Sequence, residues 1–148
     1  MTWANLLANN EVKRHKTSKK ELNAIRSVIA RDLADASLEG LSADRRFDTA
    51  YNAALQTAKM AIACAGYRVG AAAGHHRVSF ESLPLAIGKL AHPYSDYFDR
   101  CRRKRNAIDY DEAHVATETE AREIAVNAKE FLDAVERWIA SNYPSLRA

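Results

Sequence analysis

Apolar residues recur at steps of three and four along four long stretches of this chain, a period that commits it to amphipathic helices sharing one core. Leu22, Ile25, Ile29 and Leu33 fall on one helical face, and Phe47, Tyr51, Leu55, Ala58, Ile62 and Ala65 fall on another. A third stripe runs Tyr94, Tyr97, Phe98, Cys101 and Ile108. The fourth and longest runs Ile124, Ala128, Phe131, Leu132, Val135, Trp138 and Ile139. The punctuation agrees with the period. Ser18 with Glu21 and Thr117 with Glu120 have the spacing of capping boxes, Ser42 is an N-cap, and Gly40, Gly66 and Tyr143-Pro144 mark ends. Five glycines and three prolines in 148 residues are too few for a loop-rich β-protein. The sequence predicts an all-α fold, an antiparallel four-helix up-and-down bundle with short accessory helices, over residues 18–148 as a single domain. Residues 1–17 form an N-terminal accessory segment in which Thr2 to Ala8 makes a short helix.

Between the second and third stripes, Gly66 to Arg77 carries Gly66, Gly70, Gly74 and three consecutive alanines, so it is expected to be a flexible connection. Leu83 to Leu90 is expected to be a short helix with Pro84 in its first turn, and His92-Pro93 opens the helix of the third stripe. The alanine-rich face Ala50, Ala53, Ala54, Ala58, Ala61 and Ala65 suits close helix packing. Trp3 and Trp138 are expected in the core or at a subunit contact.

Several classes of function drop out at this point. Cys64 and Cys101 are isolated thiols in helical patterns, which suit a reducing compartment better than a disulfide framework. Met1 to Leu7 lacks the basic and apolar regions of a signal peptide, and no window is long enough to span a membrane, so a cytoplasmic protein with no membrane partner is expected. The glycines match neither a phosphate loop nor a dinucleotide fingerprint, and no cofactor is expected. His75-His76 lacks ligand spacing, with Glu81 the nearest carboxylate along the chain, so no metal is expected. That pair is expected on a surface loop, with phosphate contact beside Arg77 as its alternative. The net charge of +3 does not by itself announce a nucleic-acid binder. Lys13, Arg14, His15, Lys16, Lys19 and Lys20 are expected to be a solvated run that could extend a basic surface.

One residue breaks the pattern. Within Arg100-Cys101-Arg102-Arg103-Lys104-Arg105, the last arginine lies in phase with the apolar stripe of Tyr94 to Ile108. A guanidinium facing a core is costly unless it is paired or wet. Two roles stay open. Arg105 can reach the bundle edge and bond Asp109, four residues on, or it can take a phosphate with Arg102 and Asn106 beside it.

Arg105-Asn106, late in a helical hairpin and before a long final helix, resembles the signature region of HEPN domains. Their hallmark is an arginine, usually followed by a polar residue, and then a histidine, written R-x4-6-H. Here the positions open to that histidine hold Tyr110, Asp111 and Glu112, and His114 comes two residues later. The resemblance covers roughly Ser18 to Tyr143. It implies an α-helical bundle, commonly dimeric, of a kind that includes metal-independent ribonucleases of toxin-antitoxin and defence systems. Without the histidine, it implies a homodimer that binds RNA or a nucleotide through Arg102, Arg105, Asn106 and Tyr110, with no catalytic residue assigned. A phenol is a poor base near neutral pH, and a free carboxylate repels phosphate. Two alternatives accompany this expectation. One is a protein-interaction module or toxin-antitoxin partner whose Arg105 pairs across a subunit boundary; the other is an active ribonuclease using Arg105 with Tyr110 or His114.

Overall fold

The computed structural model describes residues 1–72, 74–110 and 113–148. Ala73, in the expected flexible connection, and Asp111 and Glu112, two of the positions open to the missing histidine, lie outside the described residues. The elements are α1 (Trp3–Ala8), β1 (Val12–Arg14), α2 (Lys19–Asp35), α3 (Ala43–Cys64), β2 (Tyr67–Val69), α4 (His75–Ile87), α5 (His92–Asp109) and α6 (Glu118–Asn142). Single 3-10 turns at Gly88–Ala91 and Pro144–Leu146 complete them. The fold is all-α apart from one two-stranded ribbon.

Side chains set the helix starts as their spacing requires. Ser42 Oγ accepts the Arg45 N–H at 3.1 Å, and Thr117 and Glu120 exchange reciprocal bonds of 3.0 Å. At α2 only half of the expected box forms. Ser18 Oγ accepts the Glu21 N–H, but the Glu21 carboxylate turns outward to His15 (2.7 Å) and Thr17 (2.9 Å). The His15 contact holds the Glu21 carboxyl below its ordinary range.

Helix α3 is the axis of the molecule, packing against α2, α4, α5 and α6. Alanine makes this possible. Ala50, Ala53, Ala54, Ala58 and Ala61 are all buried, so neighbouring helices approach α3 closely on several sides. Between them sit Leu22 and Ile29 from α2, Phe80 and Leu83 from α4, Phe98 from α5, and Ile124, Phe131 and Ile139 from α6, all with no exposed surface. Arg26 of α2 bonds both carboxylate oxygens of Glu136 on α6 and also the Leu146 carbonyl at 2.8 Å, tying the carboxyl-terminal turn down. Cys64 and Cys101 are buried, free thiols that burial pushes up to about 11, consistent with packing rather than reactivity.

The segment after Gly66 corrects the sequence expectation. Tyr67–Val69 pairs antiparallel with Val12–Arg14, in the register Val12 to Val69, Lys13 to Arg68 and Arg14 to Tyr67. Tyr67 stacks on Trp3, ring centroids 4.1 Å apart, and Leu6, Val12 and Val78 form a small second core beneath the ribbon. That burial fixes a stretch whose glycines promised freedom. Gly74, at φ +83°, then turns the chain into α4. Helix α4 starts at His75 rather than Leu83, so Pro84 lies inside it and not in its first turn. Its polar first turn, His75-His76-Arg77, hid the start.

Phe98 is the keystone of the α4–α5–α6 contact, with the rings of Phe80, Tyr97 and Phe131 at 5.8, 5.0 and 5.4 Å. Phe98→Ala is expected to cost about 3–5 kcal/mol of unfolding free energy. Val126→Ala, on the exposed side of α6, is expected to stay within about 0.5 kcal/mol of the parent. Urea unfolding followed by circular dichroism checks both.

Candidate functional site

Helix α5 carries Arg105 on the stripe that buries Phe98 and Cys101, one turn past the point where the core ends. The guanidinium is held on three sides. Its Nε lies 3.3 Å from an Asp48 carboxylate oxygen on α3, its Nη2 lies 2.9 Å from Asp109, and its carbon stands 5.9 Å over the ring of Tyr51. The expected Asp109 pair is present. Asp48 was not foreseen, because nothing in a linear sequence relates position 48 to position 105. Burial, and next the neighbouring Asp109 charge, raise the Asp48 carboxyl above its ordinary range, while Arg105 pulls it back. Both carboxylates belong to the same chain, so Arg105 needs no partner subunit to balance its charge.

Tyr51 links this arginine to α4. Its ring is 1% exposed, and its hydroxyl lies 3.0 Å from Nδ1 of His76. Burial pushes the phenol well above its ordinary range, so it stays protonated and needs an acceptor. Nδ1 of His76 is the acceptor within reach, which leaves the proton of the neutral imidazole on Nε2. Burial first, then the charges of His75, Arg105, Lys59 and Arg102, bring His76 down to about 4. His75, whose ring packs edge-on against His76 at 4.3 Å, is also lowered, by burial and then by Lys59 and Arg105. Both imidazoles are therefore neutral near pH 7. The expected surface loop is instead a first helical turn in which His75 and His76 are half-buried, with the Tyr51 hydroxyl bonded to His76.

Arg102, Arg105, Asn106 and Tyr110, the four residues singled out from the sequence, line one cavity of about 290 Å³. Its opposite wall is Gly74, His75, His76 and Arg77, from the start of α4. Almost every side chain there is a hydrogen-bond donor. Among the described residues no carboxylate lines the cavity; the acids that pair with its arginines approach from outside. Asp99 bonds Arg102 at 3.0 Å, and Glu81 bonds Arg77 at 2.7 Å. Asn106 Oδ1 lies 3.5 Å from Nη1 of Arg105, and Tyr110, at the end of α5, is 78% exposed. His114 is exposed in the α5–α6 connection and does not line this cavity. The described residues contain no cluster of three metal-ligating side chains, and none of their helices is long and apolar enough to cross a membrane.

The depressed His76 value sets a pH dependence with a definite sign. The unfolded chain takes up a proton near the ordinary value of 6.5, whereas the folded chain resists until about 4. Stability from this group is complete above pH 6.5 and is lost as the pH falls toward 4. Thermal unfolding across that window is expected to show a shallower pH slope for His76→Gln than for the parent.

Residues 36–136 match a family model described as HEPN_SAV_6107-like HEPN. That span contains the whole of the cavity, from Gly74 to Tyr110, together with Asp48 and Tyr51. No curated protein and no solved structure matches the chain significantly. With its helical core, and with the arginine and asparagine that first suggested the resemblance inside the matched span, the chain belongs to the HEPN superfamily.

Proposed function

We propose that the cavity between α4 and α5 binds the phosphate of RNA or of a nucleotide, and that the protein acts as a dimeric HEPN module in binding rather than cleavage. The observation that carries this is the convergence of Arg77, Arg102, Arg105, His75, His76 and Asn106 on one concave surface. Carboxylates outside the cavity hold the arginines in place, so their remaining N–H groups are oriented before a ligand arrives. Planar guanidinium groups match the geometry of a phosphate, and the exposed ring of Tyr110 at the rim can stack on a base.

Cleavage by a ribose hydroxyl needs a proton acceptor and a proton donor. The low values of His75 and His76 leave both imidazoles neutral near pH 7, and the acceptor nitrogen of His76 is already taken by the Tyr51 hydroxyl. The imidazole expected along α5 is absent, and the ones supplied across space from α4 are poor acids. RNA incubated with the protein at pH 7 is therefore expected to stay intact on a denaturing gel.

Fluorescence anisotropy with a short labelled RNA at low salt tests the binding. Arg102→Gln and Arg105→Lys are each expected to weaken it by about tenfold to a hundredfold, the loss of one charge-assisted bond. Their circular dichroism should remain that of the parent. No binding by the parent protein, or equal binding by all three, would refute the proposal. Membership of a superfamily whose domains often dimerise supports the dimer. Light scattering is expected to give twice the 16.5 kDa chain mass.

A further inference from the structure

A second cavity adjoins the first. It has a volume of about 360 Å³ and gathers Lys13 from β1, Lys59 from α3, Arg68 from β2 and His75 from α4, with the chain at Gly70 and Ala71 closing one side. His75 lines both cavities and forms the wall between them. Among the described residues no carboxylate lines the second cavity.

Folding alone gives no reason for this charge. Lys13 and Arg68 stand directly opposite each other in the ribbon, a cross-strand pairing of like charges that weakens a two-stranded ladder. Lys59 is half-buried on the central helix and has no carboxylate partner among the described residues, and its burial lowers its ammonium from the ordinary range. Other half-buried cations of the fold are paired: Arg26 with Glu136, Arg46 with Glu118 and Arg105 with Asp48. Glu21 stands near enough for the charge of Arg68 to help lower its carboxyl, but none of the three cations is in a salt bridge among the described residues, and together they make an anion site. The first turn of α4 adds to it, since no side chain caps its N–H groups and no acid lies in that turn.

We propose that the two cavities form one continuous track for a single nucleic-acid strand, with Lys13, Lys59 and Arg68 gripping a second phosphate on the far side of His75 from Arg105. This builds on the phosphate site at Arg105 and names its ligand as a polymer rather than a mononucleotide. A mononucleotide fills one cavity, whereas an oligonucleotide spans both, and its affinity carries the added charge of the second.

Uridine monophosphate and an octauridylate are compared on the parent protein, on the double variant Lys13→Gln/Arg68→Gln, on Lys59→Met and on Arg102→Gln. The double variant is expected to lose about tenfold in octamer affinity and to keep its mononucleotide affinity. The slope of log Kd against log salt for the octamer is expected to flatten by about 0.7, the share of the one phosphate that the second cavity neutralises on a single strand. Lys59→Met is expected to weaken the octamer while raising the midpoint of thermal unfolding, because it removes an unpaired cation from a half-buried site. Arg102→Gln is expected to weaken both ligands. If the double variant and Lys59→Met bind the octamer as the parent does, the track is overturned while the Arg105 site stands. If the parent binds neither ligand, both fall. Capture of polyglutamate in place of the octamer would also overturn the track.

Discussion

The guanidinium of Arg105 is where the fold and the candidate site meet. A cation on the core-facing stripe of α5 is tolerable because Asp48 supplies a charge from α3, Asp109 supplies one from α5 itself, and the ring of Tyr51 gives it a flat surface to rest on. The Asp48 and Tyr51 contacts tie α5 to α3. They also fix α4, because the Tyr51 hydroxyl that lies under Arg105 bonds His76 in the first turn of that helix. One cluster of polar groups therefore sets the spacing of three helices where the aromatic core of Phe80, Phe98 and Phe131 gives way to solvent. Removing any one member leaves a half-buried charge or hydroxyl unpaired, which is why such clusters hold a geometry better than an apolar seam does.

The HEPN hallmark that Arg105-Asn106 resembles sets a histidine four to six residues further on, and the sequence holds none there. An imidazole beside Arg105 can come from four to six residues along the same helix, or from another helix that packs against it. Here His75 and His76 of α4 stand at the cavity that Arg105 lines. The substitution is not equivalent chemically. An imidazole at the end of an exposed helix keeps its ordinary basicity, whereas His76 is drawn under neighbouring side chains and gives up its proton far below neutrality. It can donate one hydrogen bond from Nε2 to an anion, but the N–H of a neutral imidazole is too weak an acid to transfer its proton near pH 7.

The long helices were legible because period and capping point the same way: the α3 and α6 stripes bury most of the residues they name, with Ala65, Leu132 and Trp138 half-buried, and Ser42 and Thr117 cap where their spacing says. Arg105 was legible for the opposite reason, as a violation of its own stripe. The segment from Gly66 to Arg77 was not legible. A three-residue strand carries too little pattern to register, its partner lies more than fifty residues earlier in the sequence, and the burial that orders it comes from Trp3, Leu6 and Val78. Without that strand nothing in the local spacing marks the start of α4, and His75-His76 reads as a loop. Asp48 was missed on the same ground, since pairing between helices leaves no trace in local spacing.

The ribbon rests on the small core under β1 and β2, and it stands against the ordinary preference of paired strands for opposite charges by setting Lys13 beside Arg68. A fold under selection for stability alone has cheap remedies, since an acid at either position would pair the other. The family match spans residues 36–136, so it includes Arg68, Lys59 and the whole Arg105 cavity but leaves Lys13 outside. The strand from before the matched span thus adds one further cation to a hollow that the matched span already lines with two. Charge repulsion across the ribbon is relieved when an anion enters that hollow, and an anion there is next to His75 and hence next to the arginine site. The two cavities are coupled through a single side chain, and a strand long enough to reach both relieves the cost of each.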